Sequence, residues 1–421
     1  MTDVLDELTW RGLLANSTDP QALAEHLSAG PVTFYVGFDP TAPSLHFGNL
    51  VQLVVARHLQ AAGHRPLLLV GGSTGLIGDP KDSGERVLNS KDVVTGWVER
   101  IRAQVSRFVD FDGPAAARLV NNLDWTGPLP VLDFLRDIGK HFPVNRMLAR
   151  DVVRNRLEDG ISYTEFSYVL LQSMDYLELF RTYGCTLQFG GSDQWGNITA
   201  GVELVRRAEG ARVHALATPL LTRADGTKFG KTEGGTVWLD PAMTSPYAFH
   251  QYFLNAEDEK VVDYLRVFSP RSRAEIDDLD RQTREQPHLR AAQRALADDV
   301  TDLVHSVADR EGAVLAASAV FGRSDLGEVP EGVLSGVVAE LGGVPIARAG
   351  LPSVVEVLEA SGVVPTRSAA RRAIADGGAY LNNRKVADPE ASLTETDLLH
   401  GRYVIVRRGK RTVGAVTITR T

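Results

Sequence analysis

Pro66-Leu-Leu-Leu-Val-Gly-Gly-Ser-Thr-Gly75 is a continuous apolar run that breaks into a glycine-rich turn. A run with no polar alternation is the pattern of a strand buried on both faces, as in a parallel sheet. Outward from it, Thr33 to Phe38 is a second short apolar run, ending in Asp39-Pro40 and followed by helical periodicity from Gly48 to Ala62. Thr186 to Phe189 is a third, entering the turn Gly190-Gly-Ser-Asp-Gln-Trp-Gly196 and a helix from Ile198 to Glu209. Strand, glycine-rich turn and helix in repetition predict an α/β fold with a doubly wound, Rossmann-like sheet. Ligands on such sheets sit at the carboxyl ends of the strands, where all three turns lie.

At 421 residues the chain exceeds one ordinary core and predicts two to three domains. Leu119 to Asp159 reads as mostly helical and rich in Arg and Asp, and beyond Thr232 the pattern is helices only, including Glu257 to Phe268 and Gln286 to Arg310. Residues 326–350 carry many Gly, Val and Pro with little periodicity and read as a linker, and residues 351–421 as a small α+β domain. No apolar run approaches the roughly 18 residues of a membrane span. The first ten residues lack a targeting pattern. The lone Cys185 forms neither an internal disulfide nor a metal cluster, which fits a cytoplasmic protein.

The formal charge of −8 is unevenly spread. Residues 351–421 hold eleven Lys/Arg against seven Asp/Glu, a net of +4, so the rest carries −12. An acidic body with a basic tail suits localised binding of a phosphate backbone. In that tail Arg371 and Arg372 fall on a helix and Arg384-Lys385 on a hairpin, positions from which all four could reach phosphates.

Two short segments carry triphosphate chemistry. Pro40-Thr-Ala-Pro-Ser-Leu-His-Phe-Gly-Asn49 sets His46 beside Gly48 at a strand-to-helix turn, and Lys228-Phe-Gly-Lys-Thr232 places two lysines three apart on a flexible loop. Each alone is common in turns and solvated loops. Between them, Tyr168, Gln172 and Asp175 recur at i, i+4 and i+7 and so share one face of a helix. Such a stripe usually faces water. Here Tyr35 and Asp79, read as strand ends, would point to the same place.

In this order, the two segments resemble the paired signatures of class I aminoacyl-tRNA synthetases. Gly37-Phe-Asp-Pro-Thr41, Gly75-Leu-Ile-Gly-Asp79, Gly190-Gly-Ser-Asp-Gln-Trp-Gly-Asn197 and Ser245-Pro-Tyr247 extend the resemblance over nearly the whole chain, to the tyrosyl-tRNA synthetases of bacterial type. Ser368 to Val386 resembles an RNA-binding module shared with a small-subunit ribosomal protein. The resemblance implies a catalytic domain over 1–225 with a helical dimerisation insertion around 119–160, an α-helical anticodon-binding domain over 226–325, the linker, and an RNA-binding domain over 351–421. It further implies a homodimer acting on L-tyrosine, ATP with Mg²⁺ carried on its phosphates, and tyrosine tRNA.

By that resemblance Tyr35 and Asp175 bond the substrate phenol, Tyr168, Gln172 and Asp79 hold its ammonium, and Gln194 lies near its carboxylate. Thr41, His46, Lys228, Lys231 and Thr232 act on the phosphates. Asp39, Gly48, Asn49 and Asp193 complete the ATP side, and Arg86 contacts pyrophosphate or the tRNA acceptor stem. No protein metal site is read. The chain departs from the family pattern where Asn49 replaces a second His, where Val36 and Gln52 stand near the expected ribose, and in a loop at 80–86 that leaves Lys81 without an assigned contact. The neighbouring readings are a tryptophanyl enzyme, a nucleotidyltransferase of the same superfamily and an inactive RNA-binding relative; the Tyr35/Asp175 pair, the basic tail and the retained His46 and lysines weigh against them in turn.

Overall fold

The structure is a computed structural model that describes residues 3–80, 88–232, 235–347, 350–409 and 412–419, apart from the side chains of Lys231 and Thr232. Arg86 and Lys81 lie outside the described residues. The chain divides into two compact units, residues 1–240 with 262–277 and residues 241–261 with 278–421.

In the first unit, Asn16–Ser17 (β1), Thr33–Phe38 (β2), Arg65–Val70 (β3), Arg118–Asn121 (β4), Cys185–Gly191 (β5) and His214–Thr218 (β6) form one sheet. Their order is β1-β6-β5-β2-β3-β4. All pairs are parallel except β1 with β6. From β2 the chain adds β3 and β4 to one side, then crosses to add β5 and β6 on the other. The crevice between β2 and β5 is therefore the topological switch point, where a doubly wound sheet opens to a ligand. A small hairpin, Lys231–Thr232 (β7) with Gly235–Thr236 (β8), follows the sheet.

The helix Tyr163–Tyr183 lies against this sheet. Ser162 caps it, its hydroxyl accepting from the Glu165 amide at 3.2 Å, and Gly184 ends it at φ 62°, a left-handed conformation that favours glycine. Its Leu170, Met174 and Leu177 share a core with Tyr35, Leu67 and Leu69 of the sheet and Leu204 of the helix Trp195–Glu209. Full burial of each such aliphatic side chain contributes about 1.5–3 kcal/mol.

Several expectations need correction. The 119–160 segment is mostly helical, as read, but in short pieces rather than long regular helices. Its first residues complete β4, and Pro130 and Pro143 precede short turns such as Val131–Asp133 and Val144–Leu148, joined by a π-type segment at Phe134–Ile138. Residues 262–277 belong to the first unit rather than to a separate helical domain. Arg11 explains part of this, since its guanidinium donates to the carbonyls of Arg266 and Ser269 at 2.7 and 2.9 Å. The helix expected over 286–310 is two, Ala291–Val304 and Val307–Val320. It breaks at His305, and Ser306 caps the second piece by accepting from the Asp309 amide at 3.1 Å.

Of the 326–350 stretch, residues 326–347 are not a linker, and residues 348–349 lie outside the described residues. Glu331–Glu340 is a helix, and Val344–Ala347 (β9) pairs in parallel with Thr412–Thr419 (β13). The glycines that read as loop permit close packing: a Cβ on Gly336 would lie 2.7 Å from the Ser245 side chain. With Ala379–Leu381 (β10), Arg384–Lys385 (β11) and Tyr403–Arg408 (β12), β9 and β13 form a five-stranded sheet in the order β11-β10-β12-β13-β9. Alternation along β12 buries both its faces: Tyr403 and Ile405 join Ala316, Leu334 and Val337, while Val404 and Val406 join Leu358 and Ile374. The second unit thus continues from its helices into the C-terminal sheet.

Candidate active site

At the switch point a cavity of about 450 Å³ opens, lined by the end of β2, the turn into the helix Phe47–Ala61, the helix Tyr163–Tyr183, the end of β5 and residues 219–221, 228–230 and 236. Tyr35, Asp39, Thr41, His46, Gly48, Asn49, Asp79, Tyr168, Gln172, Asp175, Asp193, Gln194 and Lys228 all line it. The i, i+4, i+7 stripe therefore faces a pocket rather than water. Asp79 does not end a strand; it follows the short helix Thr74–Ile77 and Gly78, and Tyr35 is mid-strand in β2.

One part of the lining is buried. Tyr35 and Asp175 are each 2% exposed. Asn122 Nδ2 donates to one Asp175 oxygen at 3.0 Å and Trp125 Nε1 to the other at 2.9 Å. Burial pushes the Asp175 carboxyl up to about 8, with those two donors pulling the other way. The Tyr35 hydroxyl is buried without a partner among the described residues, and burial, then the Asp175 charge, raises it well above the usual phenol. The Oε1 of Gln172 is likewise buried and unpartnered among the described residues. Tyr168 donates to Asp39 Oδ2 at 2.6 Å, and Thr74 to Asp39 Oδ1 at 2.6 Å. Asp79 accepts from Gln194 Nε2 at 2.8 Å and from Asn197 Nδ2 at 3.2 Å, and Asn197 Nδ2 also donates to Gln194 Oε1 at 2.9 Å.

Another part of the lining is open to solvent. Thr41, His46, Gly48, Asp193 and Lys228 are exposed. Asn49 Oδ1 accepts from the His46 amide at 3.1 Å and so helps to cap the helix Phe47–Ala61. The loop with Lys228 docks by its aromatic residue: Phe229 stacks on Tyr264 with centroids 4.0 Å apart and meets Phe47 edge-on at 4.9 Å. Gly230 is at φ 97°, and a Cβ there would meet Phe47 at 3.1 Å. The backbone of Lys231 and Thr232 forms β7.

The cavity thus joins a buried end carrying a hydroxyl and a carboxylate to an exposed turn and to Lys228. The family model described as tRNA synthetases class I (W and Y) matches residues 27–322, and that of the Tyrosine--tRNA ligase SYY-like C-terminal domain matches residues 340–414. A Tyrosine--tRNA ligase of Cutibacterium acnes is 63% identical over 417 residues, covering 99% of this chain and 100% of that protein. The chain belongs to the class I tyrosyl-tRNA synthetases. A Streptomyces coelicolor Tyrosine--tRNA ligase is 57% identical over 423 residues, with full coverage of both chains. A crystal structure of a C-terminally truncated Aspergillus nidulans mitochondrial tyrosyl-tRNA synthetase superposes with a TM-score of 0.70 at 29% identity, covering 76% of this chain and 95% of that one.

Beyond the residues expected in a tyrosyl-tRNA synthetase, the structure adds Asn122, Trp125, Thr74 and Asn197, which hold the carboxylates of the cavity. Asn197 lies within the Gly190-to-Asn197 motif, which gave it no role of its own. In the second unit, Arg372 lines a cleft of about 440 Å³ with Arg408, while Arg371, Arg384 and Lys385 do not. The four basic residues do not converge on that cleft. Lys385 instead lies against Gly377, just past the helix Arg367–Ala375, and Asn382-Asn383, both at positive φ, turn the hairpin.

Proposed function

We infer that this chain is a tyrosine–tRNA ligase: it joins L-tyrosine to ATP as tyrosyl-adenylate with release of pyrophosphate, then transfers tyrosine to the terminal ribose of tyrosine tRNA. The observation that carries the reading is the buried pair Tyr35 and Asp175 on the cavity wall. Together they offer a donor and an acceptor to a phenol. Either protonation state of Asp175 reads a hydroxyl, since the carboxylate accepts its proton and the carboxylic acid donates to its oxygen. A phenyl ring offers neither, and a buried polar group left unmatched costs about 1–3 kcal/mol.

The ammonium of tyrosine falls to Asp79, Tyr168 and Gln172, and its carboxylate lies by Gln194, aimed at the open part of the cavity. A carboxylate is already a nucleophile, so the first step needs positioning and stabilisation of charge on the phosphates rather than a base. Thr41 and His46 bond the γ-phosphate, and Lys228 and Lys231 with Thr232 bring mobile positive charge. Gly48 admits the adenine to the backbone, Asp193 takes the ribose hydroxyls, and Asp39 and Asn49 complete the ATP side. Mg²⁺ arrives on the phosphates as part of the substrate. Arg86 is kept as the contact to pyrophosphate or the acceptor stem.

We place the dimer contact in the 119–160 segment, a reading supported by Val131, Leu132 and Val144, which are 67%, 75% and 61% exposed. The basic residues of 351–421 take the tRNA backbone, and residues 278–325 its anticodon end. Charging of tRNA is cytoplasmic work, and we place the enzyme there. No helix among the described residues is long and apolar enough to cross a membrane. The test is aminoacylation of purified tyrosine tRNA: charging with tyrosine and not with tryptophan supports the reading, and charging with tryptophan alone contradicts it.

A further inference from the structure

Asn197, 2% exposed, stands between the carboxylate cluster of the cavity and a second cleft of about 340 Å³. Its Nδ2 serves the cluster, donating to Asp79 and Gln194 at 3.2 and 2.9 Å. Its Oδ1 turns the other way and accepts from the guanidinium of Arg150. Arg150 lines the second cleft with Arg146 and Arg207 but does not line the first cavity, so its hydrogen-bonded link to that cavity runs through Asn197.

The chemistry of the three groups fixes one orientation. A flipped Asn197 amide would set its NH₂ against a guanidinium, which has no acceptor to offer, and its oxygen against a carboxylate. A cation on Oδ1 also polarises the amide, making Nδ2–H a stronger donor to Asp79. Asp79 is thereby held in a fixed orientation on the cavity wall. The Asp79 charge in turn favours the cationic form of Arg150 against the effect of burial.

We propose that Arg150 is a positioning residue for the ammonium-binding half of the site, acting through Asn197 on Asp79; this rests on the reading of the cavity as a tyrosine site. The test is calorimetric binding of tyrosine, tyramine and 3-(4-hydroxyphenyl)propionate to the full-length protein. Arg150→Met should weaken tyrosine and tyramine about tenfold or more, the loss of a charge-assisted hydrogen bond. The propionate, which lacks an ammonium, should bind within about twofold of its original affinity, a change worth only a few tenths of a kcal/mol. Arg150→Lys should recover most of the loss. Asn197→Ala should show the same ligand pattern and carries the test where Arg150→Met does not fold. Equal loss of all three ligands, unchanged tyramine binding, or no recovery by lysine would overturn the proposal while leaving the tyrosine site standing. Failure of the unaltered protein to bind tyrosine would overturn both.

Discussion

The Tyr168 hydroxyl donates to the Asp39 carboxylate at 2.6 Å, tying the helix Tyr163–Tyr183 to the turn that follows β2. Tyr168→Phe keeps the ring and removes the bond. A hydrogen bond to a charged group contributes about 1.5–3 kcal/mol, so KM for tyrosine in pyrophosphate exchange should rise about 10- to 100-fold. An unchanged KM would show that neither Asp39 nor the substrate ammonium depends on this hydroxyl.

Phe229 holds the lysine loop against the turn bearing His46 through its contacts with Tyr264 and Phe47. Each aromatic pair adds about 0.5–1.5 kcal/mol beyond its area. Phe229→Ala should slow adenylate formation about tenfold or more, as that energy implies, and leave tyrosine affinity alone. Single-turnover fluorescence or quench-flow measures both, and a change confined to tyrosine affinity would contradict the docking role.

How much of this could be read from the chain depends on the range of each interaction. The strands at Thr33–Phe38 and Arg65–Val70 are legible because burial on both faces writes itself as an apolar run. Tyr168, Gln172 and Asp175 are legible as a set because helix geometry alone puts them on one face. Asn122 and Trp125 were not, since they meet Asp175 from 53 and 50 positions away and carry no local pattern. The 331–340 helix was hidden by glycines whose reason, the close approach of Ser245, is tertiary. Tyr264 and Phe268 read as part of a later domain because periodicity reports a helix and not what it packs on.

His58 gives acid sensitivity a specific origin. Burial, then the Arg11 charge, pushes its imidazole down from 6.5 to about 4, with Glu7 opposing. Between those values the unfolded chain holds the extra proton, so stability is complete above pH 6.5 and falls as the pH drops toward about 4. At about 1.4 kcal/mol per unit the loss is at most roughly 3.5 kcal/mol. In His58→Gln the acid limb of melting temperature against pH should flatten; an unaltered slope would assign the sensitivity elsewhere.

Arg372 and Arg408 line one cleft of the C-terminal region. Reversing both to Glu should raise KM for tRNA in aminoacylation and make its dependence on salt shallower by roughly one to two in log–log slope. The defect should fall on the tRNA step. A defect in tyrosine activation of the same size would contradict an RNA-binding role.

The most direct test is pyrophosphate exchange into ATP with tyrosine, phenylalanine and tryptophan, measured for the unaltered chain and for Asp175→Asn. The structure predicts exchange with tyrosine alone, and in Asp175→Asn a fall in kcat/KM for tyrosine with the folded melting transition retained. Exchange supported by tryptophan, or an Asp175→Asn variant that still prefers tyrosine to phenylalanine as strongly as before, would contradict it.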